Sequence, residues 1–121
     1  MTEPRTVTLL TLDAGEVTLP EPSWCAGHEN HAPVHRVDLT HYGHEQHLNF
    51  DGETLWTVLL GQSPFATIPR YRALGLYIEQ GGLAATLDPA ALDQLAAALV
   101  EHAVILRTRA RELSVLLGGG Q

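Results

Sequence analysis

The sequence predicts an α+β domain: an antiparallel sheet of about five or six strands packed against one long C-terminal helix. Three observations carry that reading. Short, β-branched, alternating segments punctuated by Gly and Pro recur from residue 6 to residue 87. From Ala90 to Leu117 the chain then runs without a single Pro or Gly. Finally, 121 residues with 45% hydrophobic side chains suffice for one domain with a core, so residues 1–121 are read as a single unit.

Thr6 to Leu12 alternates with many β-branched residues and reads as a strand. Asp13-Ala14-Gly15-Glu16 turns it, and Glu16 to Leu19 returns, giving a hairpin. Pro20, Pro22 and Pro33 then exclude regular structure, so residues 20–35 form a loop. Val34 to His41 alternates again and is predicted as a strand. His47 to Phe50, the Asp51-Gly52 turn and Thr54 to Leu60 read as a second hairpin, because Asp-Gly suits a two-residue turn. Gln62 to Arg70 holds Pro64 and Pro69 and is a loop. Leu74 to Ile78 is another strand, turned at Gln80-Gly81-Gly82, with Leu83 to Leu87 pairing back.

The helix is the clearest element. Asp88 is a good N-cap, Pro89 suits the first helical position, and Gly118-Gly119-Gly120 stops the run. Leu92, Leu95, Leu99, Ala103, Leu106, Ala110, Leu113 and Leu117 form an apolar stripe along residues 88–117. Such a helix would span about 43 Å at ~1.5 Å per residue, at least the diameter of a compact domain of this size. An overhanging stripe is best buried by a second copy, so a homodimer through this helix is expected.

Charge excludes some functions. Seven Arg and no Lys stand against 14 acidic residues, for a net charge of −7. Nucleic-acid binders need a cationic face to displace phosphate counterions, and direct nucleic-acid binding is not expected. No uninterrupted apolar run reaches the ~18 residues of a membrane helix, and none is expected to span one. Met1 to Gly15 contains no apolar signal-peptide core, which favours a cytoplasmic protein.

The chemistry concentrates in residues 20–47. Six of the seven histidines lie there (His28, His31, His35, His41, His44 and His47), with the only cysteine, Cys25, three residues before the first. Cys25-x2-His28 lets a thiolate and an imidazole reach one ion from a single turn. His41 and His44 offer a second pair from the following strand. Thiolate with imidazole suits Zn²⁺, and an ion would order a Pro-rich loop that hydrophobic burial cannot. His28-Glu29-Asn30-His31 is not a His-Glu-x-x-His protease helix, and neither a Gly-x-Ser-x-Gly elbow nor a phosphate-binding glycine loop occurs. Cys25 beside a histidine is read as a ligand rather than a nucleophile. Trp24, Trp56 and Tyr77 are read as core anchors.

Trp24-Cys25-x2-His28, Asp38-x2-His41-x-Gly43 and the Leu87-Asp88-Pro89-Ala90 helix start resemble an uncharacterised small-protein family of high-GC filamentous bacteria. The likeness covers roughly residues 22–117. It implies a second Cys at the position held here by Glu21, and no known activity. The metal set is therefore taken as Cys25, His28, His41 and His44, with Glu21 or Asp38 as alternatives for the fourth ligand. The reading is a small zinc protein with a structural site, acting as an interaction or regulatory module. A metal-dependent hydrolase and a metal-handling or metal-sensing protein are the alternatives.

Overall fold

The computed structural model describes residues 5–118, which comprise six strands and one long helix: an α+β fold. The strands are divided between a two-stranded and a four-stranded sheet rather than sharing one. Gly119 and Gly120 of the predicted helix stop lie outside the described residues.

Two compact units make up the chain. The first holds residues up to His44 together with Leu59–Gly75. Its hairpin pairs β1 (Thr6–Leu10) with β2 (Glu16–Pro20), Thr6 opposite Pro20 and Leu10 opposite Glu16. Alternation puts Val7, Leu9, Val17 and Leu19 on one face, where Leu9 and Leu19 join Leu39 in a small core flanked by Val34 and Phe65. On the other face Thr8 and Thr18 share a hydroxyl hydrogen bond of 2.7 Å. Gly15, at φ +64°, closes the turn, its carbonyl accepting from both the amide and the hydroxyl of Thr11.

The predicted strand from Val34 to His41 does not form. Val34 makes only an isolated bridge to Thr11, and Arg36–Asp38 is a turn of 3-10 helix. Only β3 (His41–Tyr42) is strand, paired with the end of β5 (Glu53–Gln62). The reason is that the segment is not half-buried on a regular sheet face. Leu39 alone is driven into the hairpin core at 1% exposure, while Val37 faces outward. Between Gln62 and Gly75 the chain makes a loop with one short helix, α1 (Pro69–Arg72).

The second unit holds Glu45–Val58 and Leu76 onward. Here β4 (Gln46–Phe50) pairs with β5 across the Asp51-Gly52 turn, both residues at positive φ as that turn requires. The register slips between Leu48 and Asn49, a bulge. β6 (Gly75–Gln80) also pairs with β5. Leu83–Leu87 forms no strand. The chain leaves β6 at Gly81, whose amide donates to the Leu55 carbonyl at 2.7 Å, and a Cβ at Gly81 would collide with the Thr54 carbonyl oxygen. Tyr77 is 44% exposed and is no core anchor.

The helix α2 covers Pro89–Leu117 as predicted, and the Asp88 carboxylate accepts the Ala91 amide at 2.8 Å. It packs against β4 by a face that shares only Leu95 and Leu113 with the predicted stripe. Leu95, Ala98, His102, Ile105, Arg109 and Leu113 turn inward, and only His102 is fully buried. Its Nε2 donates to the Asn49 carbonyl at 3.0 Å, and Arg109 Nη1 donates to Gln46 Oε1 at 3.1 Å. Much of the stripe is left in the open. The same helix contains an 18-residue window of mean hydropathy 1.3, long and apolar enough by composition to cross a membrane. A window average tolerates Asp93 and Glu101, which the criterion of an uninterrupted apolar run does not.

Candidate metal centre

Four side chains of the first unit converge on one point. Ligand atoms of Glu21, Cys25, His28 and His41 all lie within 4.8 Å of one another. Local backbone structure places each. Glu21 follows β2, tied by its amide to the Arg5 carbonyl, and keeps the inward parity of Leu19. Pro22–Cys25 is a tight turn closed by the Cys25 amide on the Pro22 carbonyl at 3.1 Å. Gly27, at φ +103°, reverses the chain so that its own amide donates to Cys25 Sγ at 3.4 Å and His28 turns back over the sulfur. His41 is anchored by β3 opposite Gln62 and is 2% exposed. The Trp24 ring meets it edge-on at 6.3 Å. Two residues on, a Cβ at Gly43 would crowd Leu60 Cβ at 3.3 Å and the Trp24 carbonyl at 3.4 Å, so the bare glycine lets the cysteine turn lie against β3.

The separations have chemical meaning. His28 Nε2 is 3.2 Å from Glu21 Oε1, 3.3 Å from His41 Nδ1 and 3.5 Å from Cys25 Sγ, and Glu21 Oε1 is 2.9 Å from His41 Nδ1. A zinc ion bonded at about 2.0–2.1 Å to N and O and about 2.3 Å to S sets tetrahedral edges of about 3.3 Å between N/O donors and about 3.5 Å between S and N. The group has the size and donor set of such a shell.

Electrostatics agree with a ligand role. Burial raises the Glu21 carboxyl, but hydrogen bonds with Cys25 and His28 and the charge of both histidines outweigh it and hold the group below its ordinary value. Burial lowers His41 against the pull of Glu21, favouring the neutral imidazole that can donate a lone pair. Burial raises the Cys25 thiol, with neighbouring Glu21 adding to the shift against the Gly27 amide. A divalent cation reverses the Cys25 preference, since thiolate is the ligating form.

Cys25, His28 and His41 thus come together, and the fourth member of the group is Glu21, one of the two alternatives to His44. His44 is exposed and outside the group. In extended backbone the third residue on points to the opposite face, so an x2 spacing converges in a turn, as at Cys25 and His28, but not along β3. Asp38 is also outside; it lines an open cleft of about 510 Å³ with Leu9, His28, His31, Thr40 and others. His31 Nε2 lies 3.0 Å from the Leu10 carbonyl and holds the loop to the hairpin. His47 lies in the other unit, beside Thr57 and Glu45. The signal for Glu21 was the parity it shares with Leu19, together with the Cys that the resemblance places there.

No curated protein and no solved structure matches the chain. One family model does, over residues 6–115, spanning the hairpin, the four converging residues and nearly all of α2. The chain belongs to the family described as a domain of unknown function, DUF6907.

Proposed function

We propose that the first unit binds one structural zinc ion through Glu21, Cys25, His28 and His41, and that the protein is a zinc-stapled interaction module. The observation that carries this reading is the convergence of four donor atoms, four of whose separations run from 2.9 to 3.5 Å, the scale of the edges of one zinc tetrahedron. The energetics support it. The first unit's fully buried hydrophobic cluster is three leucines, and the Pro-rich stretch from Pro20 to Pro33 contributes almost nothing to it. An ion joining the end of β2, the cysteine turn and β3 would supply the missing cohesion, since structural zinc contributes on the order of 10 kcal/mol to folding in small domains. Four protein donors fill a tetrahedral shell and leave no position for a reacting water, which favours a structural role over a hydrolytic one.

Cobalt(II) substitution tests this directly. The expected spectrum has tetrahedral d–d bands and a thiolate charge-transfer band, at one equivalent per chain. Cys25→Ala should abolish the charge-transfer band, and Glu21→Ala should open the shell to water. An octahedral, thiolate-free spectrum would overturn the assignment. Exchangeable water on cobalt in the unsubstituted protein would move the reading to a hydrolase working in the cleft beside His28.

A further inference from the structure

Beside the face of α2 that packs on β4, and mostly open, runs a strict repeat. Leu92, Leu99, Leu106 and Leu113 recur every seven residues. Ala96, Ala103, Ala110 and then Leu117 recur every seven between them. Spacings alternate four and three from Leu92 to Leu117, which is the heptad seam of a coiled coil. Most of the seam is not used inside the chain: Leu92 is 53% exposed, Leu99 46% and Leu117 59%, Ala96 and Ala110 are exposed too, and Ala103 and Leu113 are half-buried at its edge. The inward face, centred on His102 and Arg109, lies beside it and is already occupied by β4.

We propose that two copies of this chain pair through α2 as an antiparallel, closely packed coiled coil. The orientation follows from two properties of the seam. Placing a two-fold axis between Val104 and Ile105 sets each inner leucine against a small residue. Ala103 meets the partner's Leu106, Leu99 meets the partner's Ala110, and Ala96 meets the partner's Leu113. Only the outermost layer pairs large with large, Leu92 with the partner's Leu117. Large against small in each inner layer lets the backbones approach closely with no void. Charge points the same way. The N-terminal half of α2 and its cap carry Asp88, Asp93 and Glu101, whereas the C-terminal half carries Arg107, Arg109 and Arg111 against Glu112. Antiparallel pairing lays the acidic half over the partner's basic half; parallel pairing would stack like on like. A bilayer is the weaker occupant, since Asp93 beside the seam and the polar ties of His102 and Arg109 to β4 would all need relief from hydrocarbon. The proposal does not depend on the zinc site.

Sedimentation equilibrium of the full chain, with zinc and with chelator, is the test. A dimer is expected under both conditions. Leu106→Glu should weaken it by roughly 100-fold or more, because the substitution enters the seam twice. Ala103→Leu separates a coiled coil from mere stickiness: it should weaken a close-packed seam but strengthen a nonspecific apolar patch. Val115→Glu, exposed but off the seam, should leave the mass unchanged. Circular dichroism confirms folding of each variant, and Ala103→Leu still decides if Leu106→Glu unfolds. A monomer at 100 µM, or flotation of the unsubstituted chain with lecithin vesicles, would overturn the proposal.

Discussion

The two units solve the problem of cohesion in opposite ways. The second is held by repetition: a hairpin with an Asp-Gly turn, and a helix of 29 residues with a cap at its start. The first has little regular structure outside one hairpin, and its best-defined feature is four polar side chains meeting at a point. Regular elements draw on local hydrogen bonds and tolerate an exposed surface, as α2 does. An irregular loop has no such ladder, and its backbone must be ordered by what its side chains reach.

The largest expected effect separates the two directly. Chelation of the zinc-loaded protein should release amides of residues 21–44 to hydrogen exchange by several orders of magnitude while those of α2 stay protected. Cys25→Ala should reproduce this without chelator. Equal loss of protection in both units would mean that they unfold as one and that the ion does not act on the first alone.

A second contrast is backbone against ion. Gly81→Ala drives a methyl into the Thr54 carbonyl, and the strand exit must shift to accept it. A loss of about 2–3 kcal/mol is expected by denaturant titration, typical of a buried backbone clash. Because the insult falls in the second unit, the cobalt spectrum should not change. A spectral change would show that β5, which contributes Glu53–Val58 to one unit and Leu59–Gln62 to the other, transmits the distortion.

The same division decides what was legible in the sequence. In the second unit the periodic signal named the helix to the residue and the Asp51-Gly52 hairpin to within a residue or two. Its packed face was only partly read, at Leu95 and Leu113, because heptad spacing marks an apolar seam without saying which partner covers it. The inward face turned out to centre on His102 and Arg109, polar residues no hydrophobic pattern selects. In the first unit, crowding of Cys and His located the cluster and three of its four members. Glu21 entered only as an alternative for the fourth place, since a glutamate at a strand end is ordinarily a solvated residue and its parity with Leu19 is what turns it inward. His44 was chosen on spacing alone. Val34–His41 failed as a strand for a related reason: alternation reports parity, and one deeply buried residue, Leu39, does not make a sheet face.

Acid and base should distinguish metal-free from metal-bound protein. Without metal, burial holds His41 neutral below its ordinary value of 6.5, so the unfolded chain takes up the proton first and stability falls as pH drops below about 6.5. Glu21, held below 4.5, adds a further loss at lower pH. Cys25 is raised above 9.0, so the unfolded chain ionises first and stability falls again above about pH 9. The metal-free protein should thus be most stable between roughly pH 6.5 and 9. Zinc held by the thiolate, as proposed, should remove the alkaline edge, and proton competition should steepen the acid one. Melting temperatures from pH 5 to 10, with and without zinc, check this; an alkaline edge that persists in the zinc-loaded protein would place Cys25 outside the shell.

The smallest expected effect tests the independence of the helix from the ion. The Asp88 carboxylate accepts the Ala91 amide at 2.8 Å, satisfying one of the otherwise unpaired donors in the first turn of α2, and its charge faces the positive end of the helix dipole. Asp88→Ala removes both contributions and should cost about 1 kcal/mol. Asp88→Asn keeps an acceptor without the charge and should recover more than half of that at moderate salt. Neither change touches a ligand of the proposed zinc site, so metal stoichiometry and the cobalt spectrum should be those of the unsubstituted chain. The loss should appear as fraying of residues 89–92 in hydrogen exchange. If Asp88→Ala instead loosened residues 21–44, the helix start would be coupled to the metal loop, and the contrast between a unit held by repetition and a unit held by convergence would fail at that point.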